Sequence, residues 1–194
     1  MIRRYVKSFV TGVALVLAFP VALLSGFGRF DALFVLSAQA CALIPGIVGD
    51  YLRIAFYRLS LKQCSLDSRI SFGSFFAHSN ALVGRGVYIG SYCVLGSCRI
   101  GDRAQIASQV QVLSGRRQHP RDVSGQIGGA SKGEFETIDI GPDCWIGACA
   151  IVMASVGPGS TVGAGAVVVN PIEAAVVAVG NPARAVKAAS PTRV

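Results

Sequence analysis

Histidine is nearly absent from this chain of 194 residues, which has only two, and charge is thin, at 14%. Two imidazoles cannot supply the three histidine ligands of an all-imidazole catalytic zinc centre, so no such metal site is expected. Cysteine occurs six times, yet no two stand in a C-x-x-C pair. That excludes the dithiol and zinc-knuckle spacings, and Cys41, Cys64, Cys93, Cys98, Cys144 and Cys149 read as reduced small fillers of a cytosolic core. Acidic residues are scarce as well, ten against eighteen basic, for a formal net charge of +8. No basic stripe with interleaved aromatics accompanies the excess, so nucleic acid is set aside as a partner. Before Cys64 there are seven Lys or Arg and two Asp, which places five of the eight net charges there. A basic, apolar beginning on a nearly neutral remainder points to a membrane surface.

Two runs carry no charge at all, 8–28 and 32–49, separated by Arg29 and Asp31. Each approaches the ~20 apolar residues that cross a bilayer. Their outer flanks are basic, with Arg3, Arg4 and Lys7 before and Arg53, Arg58 and Lys62 after. The positive-inside rule then puts both ends, and everything downstream, on the cytosolic face of the cytoplasmic membrane. The pattern predicts a helical hairpin over residues 1–62 with a tight turn near Arg29, either spanning or, given Pro20 and Pro45, re-entrant. Residues 50–61 read as an amphipathic interfacial helix anchored by Tyr51, Ile54, Phe56 and Tyr57. Ala38-Gln39-Ala40 before Cys41 imitates a leader cleavage site. The apolar region is too long for a leader and is broken by Arg29 and Asp31, and Ala38 stands where a lipobox has leucine.

From residue 83 to 169 the pattern changes to a small apolar residue about every sixth position. Val83, Ile89 and Leu95 set the beat, Ile100, Ile106 and Val112 continue it, Ile140, Ile146 and Val152 resume it, and Val156, Val162 and Val168 finish it. Gly or Ala follows most of them, as a residue that lets the chain turn a corner. A fixed period of six is the sign of a β-helical solenoid, in which each rung is a short strand with one inward aliphatic side chain. Phe72, Phe75 and Phe76 are expected to cap its open end after irregular first coils. The beat stops over 115–137, an excursion holding Arg116, Arg117, His119 and Arg121. A long loop thrown out from a rigid scaffold is usually where function resides.

Those hexads, the excursion with its histidine, Cys144-Trp145-Ile146-Gly147, Val162-Gly163-Ala164-Gly165 and Gly180-Asn181-Pro182-Ala183-Arg184 resemble the hexapeptide-repeat acyltransferases. The order is similar to the galactoside, maltose and streptogramin acetyltransferase branch over about residues 70–187. The apolar start with its Pro-Gly break before Tyr51-Leu52-Arg53 resembles the membrane-attached variant of exopolysaccharide loci. The resemblance implies an all-β, left-handed parallel β-helix over 63–187 with a short tail over 188–194. Left-handed coiling goes against the usual crossover preference and is implied by the family alone. It further implies a homotrimer, acetyl-CoA as acyl donor, and a saccharide hydroxyl, free or polyprenyl-linked, as acceptor.

Carried onto this sequence, the family pattern makes His119 the general base, a task that suits imidazole with its unperturbed pKa of ~6.5. Its ring would be oriented by Asp122 or by a backbone carbonyl. His78 has either a packing or a substrate-side role. Trp145 would flank the cleft or sit in the core. Gly147 and Ala148 would offer backbone amides to the thioester oxygen, Ala164 and Gly165 would admit the pantetheine arm, and Arg184 and Lys187 would face the nucleotide phosphates. Val169-Asn170-Pro171 stands where relatives have T-K-D. Two other readings remain: the same fold with a soluble small-molecule acceptor such as serine or an antibiotic, and a non-catalytic scaffold.

Overall fold

The computed structural model describes residues 2–116, 118–129 and 135–188, with side chains for all of these except 2–4 and 187. Arg117 and residues 189–194 of the tail fall outside the described residues. The hexads form strands only two or three residues long, one apolar side chain of each pointing inward. The first coil is β1 (Gln63–Cys64), β2 (Arg69–Ile70) and β3 (Phe75–Phe76). The second is β4 (Leu82–Val83), β5 (Tyr88–Ile89) and β6 (Val94–Leu95). The third is β7 (Cys98–Ile100), β8 (Gln105–Ile106) and β9 (Gln111–Val112). After the excursion come β10 (Ile138–Ile140), β11 (Trp145–Ile146) and β12 (Ile151–Val152), then β13 (Thr161–Val162) and β14 (Val167–Val168).

Each coil pairs in parallel with the one before it, giving three sheets along the three faces of a prism. The first face is β1-β4-β7-β10, continued by the bridges Ile140 to Val156 and Val156 to Ile172. The second contains β2, β5, β8, β11 and β13, and the third β3, β6, β9, β12 and β14. All twelve beat residues, Val83 through Val168, are at most 3% exposed. The second face ends in β15 (Val176–Val179) and an antiparallel return strand, β16 (Arg184–Ala188). That antiparallel pair closes the last coil, whose ladder would otherwise continue into another chain.

Two expectations about the solenoid need correction. Its first coil is regular: Cys64, Ile70 and Phe76 occupy inward positions beneath Val83, Ile89 and Leu95. Phe76 is therefore a rung, and Phe72 sits outside, edge-on to Tyr92 at 5.5 Å. The small residues after the beat are also there for a different reason. A Cβ on Gly90 would stand 2.5 Å from the Ser108 nitrogen, and one on Gly157 2.5 Å from the Ala174 nitrogen, both in the next coil. Glycine serves close stacking of successive corners, while the positive φ angles fall two residues later, as at Gly86 (66°) and Gly165 (68°).

The thiols behave as core fillers. Cys41, Cys64, Cys93, Cys98 and Cys144 are buried and unpaired, and only Cys149 is exposed. Burial pushes the Cys64 and Cys98 thiols up to about 12, so they stay protonated.

The N-terminal segment forms three helices, α1 (Ile2–Leu24), α2 (Asp31–Ala42) and α3 (Gly46–Ser60). A tight turn at 25–30 joins the first two, as the sequence predicted. α1 alone is long and apolar enough to cross a membrane, and α2, at 12 residues, is too short. The predicted interfacial anchors Ile54, Phe56 and Tyr57 are buried in protein instead. Tyr57 meets Phe76 of the first coil edge-on at 5.0 Å, and Phe56 stacks on Phe34 of α2 at 5.9 Å. These helices, rather than the phenylalanines of the first coil, are the lid that keeps the solenoid interior dry.

Arg53 is the bolt of this lid. It is fully buried, donates from Nε to the Ile70 carbonyl at 2.8 Å and from Nη1 to Ile44 at 2.6 Å and Cys41 at 3.2 Å, and pairs from Nη2 with Asp50 at 2.6 Å. Asp50 in turn pairs with Arg69 of β2 at 2.7 Å. Arg53 therefore does not belong to an exposed basic flank, which reduces the downstream flank to Arg58 and Lys62.

Candidate active site

The excursion leaves the corner between the third and first faces. Its outgoing limb turns at Gly115, where φ is 87°, and its returning limb bonds back from the Glu136 amide to the Ser114 carbonyl at 3.0 Å. Farther out it closes as a small hairpin, bridged Arg121 to Ile127 and from the Gly128 amide to the Pro120 carbonyl at 2.7 Å. Asp122 holds the tip: its Oδ1 accepts from the Ser124 hydroxyl at 2.6 Å, the Ser124 amide at 2.9 Å and the Gln126 amide at 3.0 Å. The Ser124 hydroxyl, followed by the Gln126 amide, keeps the Asp122 carboxyl below its usual range.

His119 stands where the hairpin begins, exposed, with Nδ1 at 3.2 Å from the Gly128 carbonyl. A carbonyl only accepts, so Nδ1 is the donor here, and in the neutral ring the lone pair is left on Nε2. Of the two orienting partners considered from sequence, the carbonyl has the ring, because Asp122 is already committed to its own turn. His78 is half-buried in the corner beneath, and its ring meets Phe135 of the returning limb edge-on at 5.7 Å. It packs, and it supports the foot of the excursion.

The other candidate residues gather elsewhere. Gly147 and Ala148 form the corner between the second and third faces, and Ala164 and Gly165 form the same corner one coil on. The Gly165 amide bonds to the Ala148 carbonyl at 2.8 Å, and a Cβ on Gly147 would lie 2.5 Å from the Ala164 nitrogen. At the next level Val179 covers Gly163 and pairs across β15–β16 with Arg184, whose side chain is exposed. One edge of the prism thus carries Gly147, Ala148, Ala164, Gly165 and Arg184 in a continuous column. The backbone of Lys187 continues β16, and its side chain lies outside the described residues.

The Gly147 amide is spent on the Val162 carbonyl at 2.8 Å, so it cannot serve a ligand oxygen as the sequence suggested. The amides of Ala148 and Ala164, by contrast, find no acceptor among the described residues. Sequence reasoning named Ala164 for its small size and missed it as a donor, since nothing in the residue type distinguishes a free amide from a laddered one. Because the corner is packed backbone on backbone, Gly147→Ala should lower stability by ~1–3 kcal/mol, the usual penalty of overpacking, read as a lower midpoint of thermal unfolding.

Trp145 belongs to the outer surface and is 57% exposed, between Gln105 and Thr161 on the second face. The core alternative is thereby closed. His119 and the donor edge lie on different corners of the prism, so a single chain does not bring them together.

No family model matches the chain. Among solved structures, a maltose O-acetyltransferase from Clostridium difficile 630 superposes with a TM-score of 0.69 at 22% identity, covering 87% of this chain and 89% of that one. A variant of AntD, an N-acyltransferase from Bacillus cereus in complex with dTDP-4-amino-4,6-dideoxyglucose and coenzyme A, gives 0.55 at 24% identity, covering 64% and 71%. The polysialic-acid-specific acetyltransferase NeuO gives 0.52 at 25% identity, covering 63% of this chain and 59% of its own length. The likenesses establish the parallel β-solenoid as a fold this chain shares with sugar-modifying acyltransferases.

Proposed function

We propose that the chain is an acetyl-CoA-dependent O-acetyltransferase of the hexapeptide-repeat, left-handed β-helix type, working as a homotrimer on a sugar hydroxyl in surface or exopolysaccharide synthesis. The observation that carries this reading is the ring of His119, exposed and held through Nδ1 on a hairpin rooted at a different corner from the donor edge. A base on one corner and free amides on another are joined when a neighbouring chain supplies the second corner, which is what a groove between subunits does. Support for the donor and acceptor comes from the fold's company: the N-acyltransferase was crystallised with coenzyme A and a sugar nucleotide, and the other two are sugar acetyltransferases.

In this reading Nε2 takes the proton of the acceptor hydroxyl as its oxygen attacks the thioester carbonyl carbon. The carbon–sulfur bond breaks, the sulfur receives the proton from His119, and an O-acetyl ester is left on the sugar. The Ala148 and Ala164 amides are placed to bond the donor's amide and thioester oxygens. Trp145 offers a flat apolar face beside them, and Arg184 a cation for the nucleotide phosphates. We place the reaction at the cytosolic face of the cytoplasmic membrane, where acyl-CoA is available.

Arg184→Ala is expected to raise the Michaelis constant for acetyl-CoA well above any loss in turnover, because remote phosphate contacts stabilise ground and transition states alike. A loss confined to turnover would displace Arg184 from the cofactor. Equilibrium binding of CoA to the detergent-solubilised full chain tests the class itself, and a chain that binds no CoA is a scaffold. Mass spectrometry of polysaccharide from cells with and without the gene then identifies the acceptor.

A further inference from the structure

The helix α1 is built inside out. Its inner face against α3 is a column of small residues, Ala14, Ala18 and Ala22, all buried. Its outer face presents the bulk: Tyr5, Phe9, Val16, Leu17, Leu23 and Leu24 are each more than half exposed. A shallow groove of about 470 Å³ on that face, lined by Phe9, Gly12, Val13, Val16 and Leu17, is apolar throughout. Exposed bulk continues at the α1–α2 turn with Phe30 and at the start of α3 with Ile47. A patch running the length of a helix exceeds what a soluble monomer leaves to water.

Both ends of this helix are tied to the same coil. Lys7 Nζ reaches Asp67 Oδ1 at 3.3 Å, and the Ser79 hydroxyl donates to the Gly28 carbonyl at 2.7 Å. Asp67 lies in the first coil and Ser79 just after it, and one coil rises by only ~5 Å. From Lys7 to Leu24, just before the turn that holds Gly28, the helix extends ~26 Å. The helix therefore lies across the end of the solenoid, at right angles to the prism axis. A spanning helix would instead carry Gly28 to the far side of a ~30 Å hydrocarbon layer.

We propose that α1 is a monotopic anchor: its outer face lies in the plane of an anionic phospholipid surface, and the solenoid stands on that surface with its axis along the bilayer normal. Charge favours lipid over a second copy of the chain. The exposed charges at this end of the molecule are Lys7, Arg29, Arg58, Lys62 and Arg69 against Asp31 and Asp67, a net positive set joined in sequence by Arg3 and Arg4. Face-to-face pairing of two such patches would set cation against cation, whereas anionic headgroups match them. Apart from the Tyr5 hydroxyl near its N-terminal end, the outer stripe of Phe9, Val16, Leu17, Leu23 and Leu24 carries no side-chain hydrogen-bonding group of the kind that rims a protein interface. An in-plane helix whose apolar face sinks into the headgroup boundary needs neither. The excursion leaves from the third coil, ~10 Å beyond the first, which sets His119 above the headgroups. This inference stands apart from the catalytic reading, since its measurements do not depend on acyl transfer.

The full chain should float with vesicles of phosphatidylglycerol and phosphatidylcholine, and less well with phosphatidylcholine alone. Phe9→Glu with Val16→Glu, both at exposed positions, should weaken binding by ~100-fold or more while the thermal unfolding midpoint holds, because two large apolar side chains leave the interface. Unchanged vesicle binding in that variant overturns the proposal. So does dissociation of the oligomer by the same variant, which would make a second copy the occupant. Topology gives a second route, independent of folding in that variant. In sealed membrane vesicles with the cytosolic face outward, Asp31→Cys in a Cys149→Ser background should react with an impermeant maleimide as readily as Lys62→Cys. Labelling of Asp31→Cys only after lysis would make α1 a spanning helix and overturn the in-plane seat.

Discussion

Replacing His119 by alanine is expected to lower turnover by ~100-fold or more, the range seen when a general base is removed. The affinity for CoA should stay near that of the parent, because the donor edge at Ala148 and Ala164 lies on another corner of the prism. The solenoid should unfold at the same temperature, since the ring is exposed and its bond to the Gly128 carbonyl lies within the hairpin. A variant that keeps near-parental turnover would move the base elsewhere. His78 would then be examined next, although its packing against Phe135 leaves it a supporting part.

Arg53→Ala should be the most destabilising single change in the helical lid. It deletes a fully buried guanidinium, strips its bonds from the carbonyls of Cys41, Ile44 and Ile70, and leaves the Asp50 carboxylate to Arg69 alone. Breaking a buried pair by removing one partner costs ~3–5 kcal/mol, and the orphaned acceptors are part of that cost. The midpoint of thermal or urea unfolding should fall accordingly, and the lid should come away from the first coil, exposing Tyr57 and Phe76. Arg58→Ala, an exposed neighbour on the same helix, should leave the midpoint nearly unchanged and serves as the control. Equal effects from the two would show that Arg53 is not the bolt.

Much of the solenoid was legible because its information is local. An inward residue every sixth position needs only its own coil and the next to be buried, so Val83 through Val168 could be read off one after another. His119 could be singled out because a scarce residue type stood in the one place where the beat breaks. The first coil escaped notice because Cys64, Ile70 and Phe76 differ in size and the following step, to Val83, is seven residues. The lid was misread because Ile54, Phe56 and Tyr57 on a helix look the same whether they face lipid or the open end of a prism.

The sequence by itself determined the six-residue rungs, the excursion and its histidine, the small residues of the corner column and the apolar character of the first third. The tertiary structure alone decided which partner each group met. Arg53 is satisfied by main-chain carbonyls, which every residue carries and no residue type announces. The same holds for the amides: Gly147 is taken by Val162, while Ala148 finds no acceptor among the described residues, a distinction made by the register between coils. Hydropathy measured how apolar α1 is, but its direction rests on two contacts, Lys7 with Asp67 and Ser79 with Gly28, that are sixty and fifty-one residues apart in the chain. Composition sets what a segment can be buried in, and only long-range contacts fix the plane in which it lies.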